Sequence, residues 1–410
     1  MRNSILTALL FVSFLFLGNL SAQVADQVTL GQGYTEQSFY SLQDGEVSNI
    51  SNTDWDLAFL TEGLNSSILI NDNRNTMLYL YSNNVSDWAT VDTTGLTWEP
   101  LHNSEVNWKK GAFTQTQNSS DPFDYGWGQY AGPPTHIVSG NRIFILAMGN
   151  GEFKKVIIES LDFGVYNFKY ANLDGSNEVI ESVNNADFTN KNFWYYSIQN
   201  EEVIDREPAT ESWDITFTPY SSEVAPGLNY LVVGALHNLG VSASQASGVP
   251  VDDANWSDYP MAEDINIMGA DWKYFDMDNF VYVIEEDLSY FVQDIEGNVW
   301  QLVFTGFGGS STGSIEFTKE LISVTGLDES SLIDFSVFPN PSNGRLDVIL
   351  PIEMDQAYYT VVDAQGRAIV SDTWTGGFQH TLDLYDVPSG IYLLQIEMNG
   401  AIGQETIVIQ

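Results

Sequence analysis

The sequence predicts an all-β protein: two related antiparallel β domains followed by a small immunoglobulin-like β-sandwich. Three observations carry this. Long stretches of helical periodicity are missing, while aromatics make up 13% of the 410 residues and glycine occurs 33 times. A pair of aromatic strands occurs twice. Phe39-Tyr40-Ser41-Leu42-Gln43-Asp44-Gly45-Glu46-Val47 leads to Asp54-Trp55-Asp56-Leu57-Ala58-Phe59; Tyr195-Tyr196-Ser197-Ile198-Gln199-Asn200-Glu201-Glu202-Val203 leads to Ser212-Trp213-Asp214-Ile215-Thr216-Phe217. Within the second copy Trp213, Ile215 and Phe217 alternate with polar residues, as on a half-buried strand. Finally, the last part of the chain shows short strand signals separated by Asn-Gly and Gln-Gly turns.

Composition narrows the function classes. A formal net charge of -41 repels phosphate backbones and anionic membrane surfaces, so no nucleic-acid partner is expected. The acidity reads as a solubilising surface; calcium is the sharper alternative, with local support at Asp276-Met277-Asp278 and Glu285-Glu286-Asp287 but no complete calcium loop. With no cysteine, disulfides, thiolate catalysis, zinc-thiolate sites and a lipidated cysteine anchor are excluded.

Residues 1–22 read as a secretory signal peptide: Arg2, an apolar run from Ile5 to Leu17, then Ser21-Ala22. No later segment reaches the ~20 apolar residues of a membrane-spanning helix, so an exported, non-spanning chain is expected. The first repeat covers 34–175 and closes with strands on either side of the turn Gly149-Asn150-Gly151, where Asn-Gly tolerates positive φ. The second covers 191–322 and closes with strands around Glu296-Gly297-Asn298. Gly313-Ser314-Ile315-Glu316-Phe317 mirrors Gly164-Val165-Tyr166-Asn167-Phe168, and Asp271-Trp272-Lys273 mirrors Asn107-Trp108-Lys109. Ordered matches at start, middle and end predict a duplication. Residues 323–334 form a linker, and 335–410 the sandwich.

That last module resembles the type A sorting domain of the type IX (Por) secretion system of Bacteroidetes. The matching residues are Val337-Phe338-Pro339-Asn340-Pro341, Asn343-Gly344, Val362-Asp363-Ala364-Gln365-Gly366-Arg367, Leu382 with Leu384, and Val387-Pro388-Ser389-Gly390-Ile391-Tyr392-Leu393. The resemblance implies passage through the inner membrane, recognition of the C-terminal domain by the secretion machinery, and delivery to the cell surface or medium.

The repeats resemble the HmuY-like haem-binding surface proteins through Phe39 to Val47, Trp55 to Phe59 and Arg142 to Phe168, and again through Phe193 to Val203, Trp213 to Phe217 and Tyr290 to Phe317. That family holds haem iron between two axial histidines or methionines. The resemblance points to His102 and His136 in the first repeat and to Met261 and Met268 in the second, with Trp127 and Tyr130 as stacking surfaces. Each has a plainer reading: loop histidines, methionines filling core gaps, aromatics packing on each other. Asp56 and Asp214 read as turn caps or backbone acceptors, and no general acid–base partner is identifiable. Three functions stay open: non-catalytic binding of haem or a similar flat ligand, a haem-free adhesion or glycan-binding module, and a secreted hydrolase using carboxylates.

Overall fold

The computed structural model describes residues 23–61, 66–323, 335–363, 365–398 and 401–410; the expected signal peptide and nearly all of the 323–334 linker lie outside them. The chain divides into two compact units, Met1–Ser323 and Val324–Gln410. Both are antiparallel β, and the α-helix described is the single turn Gly309–Thr312.

The first unit is organised by an exchange. The opening strand Glu36–Ser41 pairs with Ile215–Ala225, and the opening strand Phe193–Ser197 pairs with Leu57–Leu60. Each repeat's aromatic strand is thus completed by the Trp-Asp strand of the other. The registers are equivalent: Phe39 lies opposite Thr216, and Tyr195 opposite Ala58. Asp214 N–H donates to Tyr40 O at 2.8 Å, and Asp56 N–H donates to Tyr196 O at 2.9 Å. Trp213 meets Phe39 edge-on at 5.0 Å, and Trp55 meets Tyr195 edge-on at 5.0 Å. The sequence boundaries 34–175 and 191–322 therefore cut across both cores. One core takes Trp194, Tyr196 and Ile198 into a cluster otherwise drawn from residues 57–183; the other takes Tyr40 and Leu42 into one drawn largely from 215–317.

Outside these two four-stranded sheets lie a seven-stranded and a five-stranded sheet. Both expected closing hairpins are present. Ile143–Ala147 pairs with Phe153–Asp162 across Gly151 at φ 87°, and Leu288–Gln293 pairs with Val299–Phe307 across Gly297 at φ 89°. The terminal motifs also correspond: Phe168 packs on Phe59 at 5.2 Å and Phe317 on Phe217 at 5.5 Å. The central match does not correspond. Trp272 stacks on Phe304 at 4.1 Å inside its own half, whereas Trp108 crosses the junction and donates from Nε1 to His237 O at 2.9 Å. Local identity of two residues, Trp and Lys, was outweighed there by loop path.

The second unit is a five-stranded sheet assembly from Ser336–Phe338, Arg345–Val362, Ala368–Asp383, Gly390–Met398 and Ala401–Ile409. Strand signals read separately at 346–350 and 359–362 fuse into one strand, Arg345–Val362, because a register shift between Ile349 and Met354 absorbs the break. Its core includes Leu346, Val348, Val361, Trp374, Leu382, Leu394 and Ile407.

Candidate functional site

The exchange leaves a seam between the two halves of the first unit, and a concave surface lies along it. Segment 100–110 runs through this seam. It is pinned by Trp108 to His237, and by Asn103, whose Oδ1 accepts Ile70 N–H at 3.0 Å while its Nδ2 donates to Ile70 O at 2.7 Å. The hairpin Ile215–Ala225 with Leu228–His237 faces it.

Between them opens a groove of about 720 Å³, lined by His102, Asn103, Ser104, Glu105, Asn107, Lys110, Gln115, Ser221, Glu223, Asn229 and Asp264, with Pro100, Leu101 and Val106 as its apolar part. Its polar groups are held in place. Ser222 Oγ donates to Glu105 Oε2 at 2.6 Å, Asn229 Nδ2 donates to Ser221 Oγ at 3.3 Å, and His102 Nδ1 lies 3.3 Å from Ser221 Oγ. Burial, against an opposing pull from Glu223, lowers the His102 pKa and favours the neutral imidazole.

Asn103, Ser104, Glu105 and Ser221 also line a second, smaller cavity of about 70 Å³ walled by Phe39, Trp55, Trp108, Phe193, Tyr195, Trp213 and Tyr220. Two carboxyls belong to this wall, Glu207 buried and Asp72 half-buried. Burial pushes Glu207 up to about 7 and Asp72 up to about 6. Glu207 accepts from Asn192 N–H at 3.1 Å and Tyr195 Oη at 2.9 Å; Asp72 accepts from Asn103 Nδ2 at 3.0 Å. Arg206, beside Glu207, lies over the Tyr195 ring at 4.9 Å and donates to Gln37 Oε1 at 2.7 Å.

The residues selected from sequence are dispersed. His102 alone lines the groove. His136 is exposed at φ 56° on its loop, its Nδ1 2.5 Å from Tyr130 Oη, and Tyr130 stacks on Phe123 at 6.0 Å. Trp127 and Met268 are completely buried, one in each core, so neither offers a face to a ligand as the structure stands; Trp127 Nε1 donates to Ser66 O at 2.9 Å. Met261 packs against the small cluster around Phe291 and Val299. His237 is buried with both ring nitrogens on backbone carbonyls, Asn238 O at 3.1 Å and Asp264 O at 3.0 Å. Among the described residues no three His, Asp or Glu side chains gather into a metal-binding cluster. At the acidic stretch proposed for calcium, Asp276 spends its carboxylate on its own turn, accepting from Asp278 N–H at 2.8 Å and Asn279 Nδ2 at 2.7 Å. Asn103, Ser221 and Asn229 carried no sequence signal. They are ordinary polar residues gathered by an exchange that no local pattern encodes.

Comparison with known proteins adds the destination. Residues 336–410 match the family described as the secretion system C-terminal sorting domain. The chain thus carries a type IX sorting domain and is an exported protein of the cell surface or extracellular medium, with the secretion machinery as a partner. No helix among the described residues is long and apolar enough to cross a membrane. No curated protein matches the chain. Solved structures with some similarity include the BSP domain of a biofilm associated protein, at 9% identity and TM-score 0.18 over 100% of this chain and 84% of that one. A fungal alcohol oxidase of the AA5 family, in complex with copper, aligns at 9% identity and TM-score 0.15 over 67% of this chain and 71% of that one. The trimeric ectodomain of the C. elegans fusion protein EFF-1 aligns at 9% identity and TM-score 0.15 over 95% and 94%. Similarities this low define no shared fold.

Proposed function

We propose that the first unit is a non-catalytic binding protein, displayed or released by the type IX pathway, that takes a neutral polyhydroxylated ligand such as a glycan in the seam groove. The observation that carries this reading is the groove's lining: hydroxyl, amide and carboxylate groups fixed by one another, with aromatic walls just beneath. Amide and carboxylate side chains held in place hydrogen-bond sugar hydroxyls without the entropy of being ordered on binding. The net charge of -41 disfavours anionic sugars. A glycan array probed with the purified protein tests it. Binding to neutral glycans, weakened by Asn103→Ala and Asn229→Ala, supports the reading; binding untouched by both overturns it.

The resemblance to HmuY-like proteins supports haem as the competing ligand, and so does the position of His102 on the groove wall. Titration with haemin separates the two: a Soret shift abolished by His102→Ala would replace the glycan reading. A second observation, the 3.3 Å approach of Ser221 Oγ to His102 Nδ1, favours hydrolysis. Labelling of Ser221 by a fluorophosphonate would establish that alternative.

A further inference from the structure

Beyond the groove, the first unit carries a feature that its packing leaves unexplained. Lys273–Asp276 and Val281–Ile284 form a two-stranded ribbon that pairs with no other strand among the described residues. Tyr274, Phe275, Met277, Phe280, Val281 and Tyr282 are all exposed on it, Met277 at 70% and Phe280 at 74%. Phe275, Phe280 and Tyr282 form one contiguous patch rather than scattered surface hydrophobics, with Phe275 meeting Phe280 at 6.4 Å and Tyr282 at 5.0 Å between ring centroids. The tip is preorganised: Asp276 accepts from Asp278 N–H and Asn279 N–H at 2.8 and 3.2 Å, and Phe280 is held at φ 55°, a conformation bulky residues rarely adopt. The base is anchored by Tyr282, whose ring meets Phe307 edge-on at 4.7 Å.

Charge selects the occupant. Asp271, Asp278, Glu285, Glu286 and Asp287 are exposed around the ribbon. The one cation in 271–290, Lys273, is turned inward, with Nζ donating to Val233 O at 2.6 Å and lying 3.8 Å from the Trp272 ring centroid. A second copy of this acidic chain would meet like charge, as would an anionic lipid surface. Arginine matches both halves of the pattern: its stem and guanidinium plane lie on aromatic rings, and its charge meets carboxylates. We infer that the ribbon docks an arginine-bearing, extended segment of another extracellular protein.

The test is fluorescence anisotropy with two labelled peptides, eight-residue alternating Arg-Val and Glu-Val, against the purified full chain. The Arg-Val peptide is expected to bind and the Glu-Val peptide not. Phe275→Ser with Phe280→Ser leaves net charge unchanged and is expected to weaken Arg-Val binding about tenfold or more. Phe280→Ser alone, at the exposed tip, repeats the test should the double variant unfold. Asp278→Asn with Glu286→Gln is expected to weaken binding severalfold and flatten its salt dependence. Arg-Val affinity within about twofold of wild type in the aromatic variants would show diffuse charge attraction and overturn the inference. So would equal binding of both peptides, binding of neither, or a dimer of the wild-type chain that the aromatic variants abolish.

Discussion

Asp56 and Asp214 are reciprocal locks. Asp56 Oδ2 accepts the N–H of Ile198 at 2.7 Å, and Asp214 Oδ2 accepts the N–H of Leu42 at 2.7 Å. Each carboxylate terminates the opening strand that its own repeat has received from the other. Asn71 and Asn238 complete the symmetry: their Nδ2 groups donate to Trp55 O at 2.9 Å and to Trp213 O at 2.7 Å. The locks differ in one respect. Asp56 also pairs with Arg74 Nη1 at 2.9 Å, its own side chain being fully buried. Truncation there strands a cation as well as a backbone donor. Asp56→Ala is expected to destabilise the first unit by about 3 kcal/mol and Asp214→Ala by about 2 kcal/mol. Denaturant unfolding of the two variants checks the order.

The exchange makes a second prediction. Residues 23–190 lack Trp194, Tyr196 and Ile198, and residues 191–323 lack Tyr40 and Leu42, each a buried part of the core left behind. Either fragment alone is expected to remain unfolded. Mixed, they are expected to recover the near-ultraviolet dichroism of the intact unit, because every exchanged contact is then available in trans. Two independently folded fragments would show that the shared strands are dispensable.

Much of this was legible in the sequence, and what was not has a physical reason. The repeated Trp-Asp strands, both closing hairpins and the sorting domain are local patterns, and periodicity with turn chemistry reports local patterns well. The pairing of Phe193–Ser197 with Leu57–Leu60 spans more than a hundred positions, beyond the reach of any local pattern. Trp127 illustrates the same limit at the site. Its aromatic, glycine-rich loop looks like a ligand platform, yet the indole faces inward onto Tyr166 at 6.3 Å. Conversely, Asn103 and Ser221 become groove residues only once the two halves interlock.

Glu207 sets a pH dependence. Burial raises its pKa from 4.5 to about 7, so the folded state holds this proton more tightly than the unfolded chain does. Its stabilising contribution is complete below about pH 4.5 and is lost as pH rises through 7. Glu207→Gln mimics the protonated form at every pH. Between pH 5 and pH 8 the wild type is therefore expected to lose stability relative to Glu207→Gln by about 3 kcal/mol. Taking the difference between the two proteins removes the opposing effect of His237, whose pKa burial lowers in both. Parallel pH–stability curves would contradict the assignment.

Export can be separated from binding at two glycines of the sorting domain. Gly344 sits at φ 92°, and a Cβ placed on it would lie 2.9 Å from Tyr385 Cα. Gly366 sits at φ 76° with nothing within 4 Å of an added Cβ. Both positions disfavour an L side chain, but only the first adds a backbone clash. Gly344→Val is expected to destabilise the domain by several kcal/mol, on the order of 3 kcal/mol, and Gly366→Ala by about 1 kcal/mol. If the secretion machinery reads the folded domain, Gly344→Val should leave the protein inside the outer membrane while Gly366→Ala still reaches the surface or medium. Fractionation of the native host, with protease accessibility on intact cells, measures this. Surface delivery of Gly344→Val at wild-type level would mean that a short linear signal, rather than the packed turn against Tyr385, is what the machinery recognises.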